Sequence, residues 1–223
     1  MSTSGMTSFN PNASEIAEEA FERCGLELRT GYDNETARRS MNYLVTHWAN
    51  KGINLWTVSN RQLNLIADQT SYSMQSDIID ILSGVIVRSN TDSNTERISR
   101  EDFLNIPSKS STGKPSQWYL ERGADLPILN FFLTPENSTD IFKFDCLTRM
   151  QDLSKGTDTV QIPFRFYEAF VAGISFHLAL KRAPDRVQVL KALYDESFNE
   201  AAGEDRDRAT YKIIPDVTAY YRS

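Results

Sequence analysis

The sequence predicts an α+β fold: an antiparallel helical bundle, made of an N-terminal hairpin and two C-terminal helices, with a central β-rich insertion and a C-terminal extension. Two observations carry that expectation. Apolar residues recur at three- and four-residue spacing near both ends of the chain. Between about positions 59 and 160 this period gives way to two-residue alternation broken by turn residues. The implied division is 1–58, 59–160, 161–203 and 204–223.

The elements follow in order. In NPNASEIAEEAFERCGLE, Asn12 or Ser14 can cap a helix whose Ile16, Ala17, Ala20, Phe21 and Cys24 share one face, and Gly25 ends it. Asp33 or Asn34 opens the next, in which Ala37, Met41, Leu44 and Trp48 form one stripe and Gly52 closes. Beyond Trp56, Leu63 and Leu65 alternate, and GVIVRS (84–89) is a β-branched run, so strands broken by a turn are expected. SREDFLNIP pairs Ser99 with Asp102 at capping distance ahead of a short helix that Pro107 stops. Three strands, SQWYLE, PILNFFL and DIFKFDCL, separated by RGAD and TPENST, then read as an antiparallel meander.

The last third returns to helix. Pro163 suits the first turn of FRFYEAFVAGISFHLALKR, which ends before Pro184. Its bulky side carries Phe166, Tyr167, Phe170, Val171, Ile174 and Leu178; the opposite side carries Ala169, Ala172, Gly173 and Ala179. Pro184 starts a further helix with Val187, Leu190, Tyr194, Phe198 and Ala201 inward. After GEDRDR comes a short aromatic tail interrupted by Pro215. It reads either as a frayed end or as an arm that orders against a partner.

Composition narrows the function. At 223 residues and 40% hydrophobic content the chain can bury a core without staples. With 24 basic against 30 acidic residues the net charge is −6, which disfavours a general nucleic-acid clamp. Cys24 and Cys146 lie far apart outside any CxxC spacing, so two free thiols and a reducing compartment are expected, with no metal pattern. The start lacks a signal-peptide plan and no apolar run is long enough to span a bilayer, so a soluble protein made in a cytoplasm is expected.

One stretch imitates a phosphate loop. In KSSTGKPSQWYL, Gly113 and Lys114 stand where a Walker motif has its second glycine and lysine. Ser108 replaces the first glycine, Pro115 replaces the hydroxyl residue, and a strand follows rather than a helix, so a turn is the better reading. His47 and His177 sit on helices among apolar neighbours with no assignable nucleophile. Helix-borne carboxylates such as Glu15, Glu18, Glu19, Glu22, Asp195, Glu196 and Glu200 leave open a glycosidase-like pair, although helices normally carry such groups in solvent. No cofactor is implied.

The order of these features resembles a family, the head-to-tail adaptor (connector) proteins of short-tailed bacteriophages. The matching stretches are SEIAEEAFERCGL, MNYLVTHWANKGINLW with its W-x-x-x-G-x-x-L-W ending, LNLIADQTSYSM, ISREDFLNIPSKSSTGKPSQWYL, FFLTPENSTDIFKFD and IPFRFYEAFVAGISFHLALK. The resemblance implies a non-enzymatic virion protein of the neck, assembled in the host cytoplasm. Such proteins form a ring, typically of about twelve copies, on the portal; they extend the DNA channel without sequence-specific binding and offer a platform to the tail tube or nozzle. It further implies a portal-binding arm, here Tyr211, Ile213, Ile214, Pro215, Val217, Tyr220 and Tyr221. The loop of Lys109, Thr112, Gly113, Lys114 and Pro115 becomes a candidate contact with a neighbouring protomer or the tail. The small-residue helix face suits close packing of ring neighbours. The alternative from another class is a virion-associated peptidoglycan hydrolase using a Glu/Asp pair.

Overall fold

The computed structural model describes residues 4–5, 7–52 and 55–205, and it is α+β. Its elements are α1 (Ala13–Arg23), α2 (Gly31–Asn50), β1 (Val58–Asn64), β2 (Ser71–Ser73), β3 (Ile78–Arg88), β4 (Thr91–Asn94), β5 (Glu96–Arg97), α3 (Arg100–Asn105), β6 (Thr112–Gly113), β7 (Gln117–Glu121), β8 (Ile128–Phe132), β9 (Thr134–Pro135), β10 (Ile141–Thr148), α4 (Tyr167–Arg182) and α5 (Val187–Glu204).

Helix boundaries follow local chemistry. Asn12 caps α1 in a reciprocal box with Glu15, and Ser99 does the same for α3 with Asp102. For α2 the cap is Thr30, and Asp33, expected to open the helix, is instead the partner that reaches back to the Thr30 N–H. Gly25 and Gly52 follow the ends of α1 and α2 at positive φ, where a side chain would be strained.

Two apolar clusters form. In the first, α1, α2 and α5 all pack on α4, with Trp48 wholly buried at the centre. Its indole N–H donates to the Tyr194 hydroxyl at 2.9 Å, and its ring meets Phe166, Phe170 and Phe198 at 5.4–5.7 Å. The small-residue side of α4 is used inside this cluster. Ala169, Ala172 and Ala179 have no exposed surface, and a Cβ on Gly173 would stand 2.7 Å from Leu44 and 2.9 Å from Tyr194. The expectation that this face packs against ring neighbours is therefore overturned, because α2 and α5 of the same chain already occupy it.

The second cluster lies between two four-stranded sheets, ordered β1-β10-β3-β4 and β2-β8-β7-β5. Phe142, Phe144 and Cys146 alternate inward from β10 and meet Trp118 and Phe131 of the other sheet. The expected meander is corrected here: β7 and β8 do pair, but β10 leaves them and runs antiparallel between β1 and β3. Asp140 fixes that crossing. Its carboxylate, fully buried, accepts two bonds from Arg88 at 2.7 and 2.6 Å, and its carbonyl accepts from the Leu65 N–H. Strand β4 returns from β3 through Ser89 and Asn90, both at positive φ, the conformation a two-residue hairpin turn requires.

Beyond β10, Met150, Leu153, Val160 and Ile162 join the helical cluster. Asn42 on α2 exchanges two bonds with the Leu153 backbone, and Gly156 and Asp158 accept from the first turn of α1. The segment 149–163 is thus a strap over the helices. Cys24 and Cys146 are free thiols, both buried, one in each cluster.

Candidate assembly surfaces

The loop singled out in the sequence is a junction of strands. Thr112 and Gly113 form β6, which pairs in parallel with β9, and β7 follows. Lys109 turns back on α3, its ammonium donating to the carbonyls of Leu104 (2.8 Å) and Ile106 (3.2 Å), the negative end of that helix. Lys114 donates to the Ser93 hydroxyl, and Pro115 is buried. Both lysines are thereby held within the chain. Gly113 serves close packing rather than a turn, since a Cβ there would stand 2.7 Å from the Leu133 side chain. Lys109 and Thr112 are the exposed members of the group. Of the arm, Tyr211, Ile213, Ile214, Pro215, Val217, Tyr220 and Tyr221 lie outside the described residues.

The two histidines come together across the α2–α4 seam. His47 is exposed and His177 half-buried, and burial, with Lys181 and His47 nearby, holds the His177 imidazole below its ordinary range. Lys181 is pulled down by burial and by the neighbouring Arg39 and Arg182; its ammonium donates to Ser40 at 2.8 Å. Lys51 stands 4.0 Å above the Phe198 ring. Arg39, Lys181 and Lys51 have no carboxylate within ion-pair distance among the described residues. A basic seam therefore runs through an acidic protein.

The carboxylates displaced from their usual range all move downward. The Thr30 hydroxyl, with Arg182 and the Arg29 and Thr30 N–H groups, holds Asp33 at about 2. Arg23 lowers Glu168, Arg61 lowers Asp77, and the N–H groups of Lys155 and Ser154 lower Asp158. A general acid of a glycosidase needs the opposite shift. Among the described residues no group of His, Cys, Asp and Glu side chains could hold a metal ion, and no helix is long and apolar enough to cross a membrane.

Apolar side chains lie open on several elements: Phe9, Tyr43, Phe164, Leu180 and Val189 are each more than half exposed. Beside α1 there is a cleft of about 590 Å³, in the size range of small-ligand sites, lined by Phe9, Ile16, Tyr167 and Val171 with Glu15, Glu19, Glu168 and Arg23 among its walls. Apolar surface of this kind, gathered beside a cleft, suits assembly. The family model of the SU10 adaptor protein matches residues 15–216. The chain belongs to that family. It is a family of phage structural adaptors and not one of enzymes. No curated protein matches the chain.

Sequence reading placed the adaptor's bulky cores well but missed the basic seam. Its parts stood in the sequence as rows at four-residue spacing, Arg39, Tyr43, His47 and Lys51 on one helix and His177 with Lys181 on another. Which rows meet depends on how α2 seats on α4, and Gly173 decides that.

Proposed function

We propose that this adaptor assembles as a ring on the portal, in about twelve copies as closed cyclic symmetry allows, carries the DNA channel onward, and receives the tail tube or nozzle. The family match over residues 15–216 carries the proposal. In this reading α1, α2, α4 and α5 form the bundle, residues 59–160 the lateral β element strapped to it, and 204–223 the arm. Tyr211, Ile213, Ile214, Pro215, Val217, Tyr220 and Tyr221 of the arm dock on the portal. The loop of Lys109, Thr112, Gly113, Lys114 and Pro115, in which Lys109 and Thr112 are exposed, meets a neighbouring protomer or the tail. The site of action is the virion neck, after assembly in the host cytoplasm. The acidic net charge lets DNA slide past without sticking.

The test is mixing with isolated portal rings, read by particle mass and electron microscopy. Full-length protein adds mass to the ring. A chain lacking residues 211–223 keeps its helical circular dichroism and loses the added mass. Portal rings that gain nothing from the full chain would refute the adaptor reading, and undiminished loading by the truncated chain would refute the arm.

A further inference from the structure

Two faces of the helical unit are complementary and point away from each other. The first is the basic seam. Arg39, Lys51 and Lys181 stand there without carboxylate partners, and Tyr43 and Leu180 project at 68% and 58% exposure. The second is the α1 face. The carboxylates of Glu18 and Glu22 lie one helical turn apart on α1, exposed and with no hydrogen bond or ion pair to the described residues, on the helix whose Ile16 lines the cleft with Phe9, Tyr167 and Val171. Glu15, Glu19 and Glu168 also line it but are already engaged, Glu15 by the Asn12 N–H and both Glu19 and Glu168 by Arg23, so the free carboxylates of this face are those of Glu18 and Glu22.

Helix α4 sets the angle between them. It meets α1 through Glu168, which pairs with Arg23, and through Ser175, whose carbonyl accepts from Cys24. His177, in the floor of the basic seam, lies nine residues beyond Glu168, about two and a half turns at 3.6 residues per turn. The two faces are therefore on opposite sides of α4, and one chain cannot close them on itself.

We infer that the basic seam, with Tyr43 as its anchor, docks on the acidic cleft face of α1 in a second copy of this chain. Charge complementarity selects the occupant: the seam needs anionic groups beside an apolar pocket, and the α1 face supplies both. A tyrosine entering such a pocket with charges at the rim is the usual form of an interface hot spot. The contact is heterologous, each copy using one face toward each neighbour, so repetition closes into a ring or continues as a filament. The inference rests on the ring reading and names the surfaces that would form it.

Carbodiimide cross-linking tests the contact without the portal, because it joins a carboxylate to an amine only where the two touch. Equal amounts of unlabelled and nitrogen-15-labelled full-length protein are cross-linked at high concentration, and mixed-isotope peptides are sequenced by mass spectrometry. Peptides joining Glu18 or Glu22 to Lys51 or Lys181 are expected. Their absence, with other intermolecular links or with none, overturns the inference. A charge swap supplies the second arm. E18K/E22K and R39E/K51E chains, each checked for native circular dichroism, should each lose the link and self-associate about tenfold more weakly, as two exposed pairs of up to about 1 kcal/mol each imply. An equal mixture of the two should recover association, since each reversed face then finds its complement; failure to recover overturns the inference. Portal loading is measured separately, so a chain that cross-links as expected yet adds no mass to portal rings refutes the adaptor reading alone.

Discussion

Replacing Gly173 by alanine sets two known effects against each other at one atom. In an open helix interior the change stabilises by about 1 kcal/mol, because glycine loses more backbone freedom on folding. At Gly173 the new methyl would stand 2.7 Å from Leu44 Cδ2 and 2.9 and 3.1 Å from Tyr194 Cε2 and Cδ2. Neither neighbour can withdraw easily. Leu44 has no exposed surface, and the Tyr194 ring is held by the Trp48 indole at its hydroxyl and by Phe176 and Phe198 around it. Overpacking of this kind costs about 1–3 kcal/mol and wins over the propensity term. A net loss of up to about 2 kcal/mol is expected, or up to about 8 °C in melting temperature for a chain of this size. Gly203, near the end of α5 with nothing within 4 Å of an added Cβ, is the internal control and should gain up to about 1 kcal/mol from the same substitution. The assay is urea unfolding followed by tryptophan fluorescence and circular dichroism. If Gly173→Ala stabilises as much as Gly203→Ala, then α2 and α5 do not seat on α4 as described and the use of the small-residue face within the chain is wrong.

The ion pair that joins the end of β3 to the start of β10 within one sheet should respond asymmetrically. Arg88→Met leaves the wholly buried Asp140 carboxylate without its guanidinium and should cost about 3–5 kcal/mol, whereas Asp140→Asn leaves the partly exposed Arg88 with Glu136 and should cost less in the same denaturation assay. Acid should weaken the fold through Asp33, Asp77, Asp158 and Glu168. Their folded-state values are depressed, so their stabilisation is present above the unfolded carboxyl range near about 4 and is lost as pH falls, down to about 2 for Asp33. Urea midpoints measured from pH 6 to 2 should fall over that window, and Asp33→Asn should flatten part of the slope; an unchanged slope would show that Asp33 is not held as described.

Local rules were legible wherever their partners lie close in sequence. The capping box of α3, the stop at Gly25 and the inward row Leu190, Tyr194, Phe198 and Ala201 follow from spacing alone, whereas for α1 spacing offers Asn12 or Ser14 and the bond from the Glu15 N–H selects Asn12. Asp33 or Asn34 places the cap of α2 three or four residues late, because Asp33 suits a cap as well as the third helical position, and only the Thr30 hydroxyl distinguishes the two. The β4 return was invisible because Ser89 and Asn90 take positive φ without glycine. Strand β10 was found in place but not in partnership. Alternation in IFKFDCL shows which residues point inward, yet β8, its neighbour in a meander, and β1 offer equally good edges to an alternating strand. The choice falls to Arg88, whose ion pair with Asp140 draws the start of β10 to the end of β3, and that pair spans 52 positions.

The same reasoning explains why an adaptor's assembly faces are harder to read than an enzyme's site. A catalytic motif must place chemically distinctive groups near one another, often within one loop, and a failed imitation such as Ser108 to Pro115 can be rejected on its own residues. An assembly face is built from ordinary charges and apolar side chains drawn from several elements. Arg39 on α2 and Lys181 on α4 lie in one seam only because Leu44 reaches Gly173. Lys51 enters it only because Tyr194 and Phe198 of α5 come up beneath its ammonium. The small-residue side of α4, which looked like an external surface in the sequence, thus acts one step earlier. It lets three helices seat closely, and that seating lines up the charges of the basic seam. A methyl at Gly173 should therefore disturb the seam as well as stability, so the Glu18 or Glu22 link to Lys51 or Lys181 should weaken in the folded fraction of Gly173→Ala while the Gly203→Ala protein keeps it.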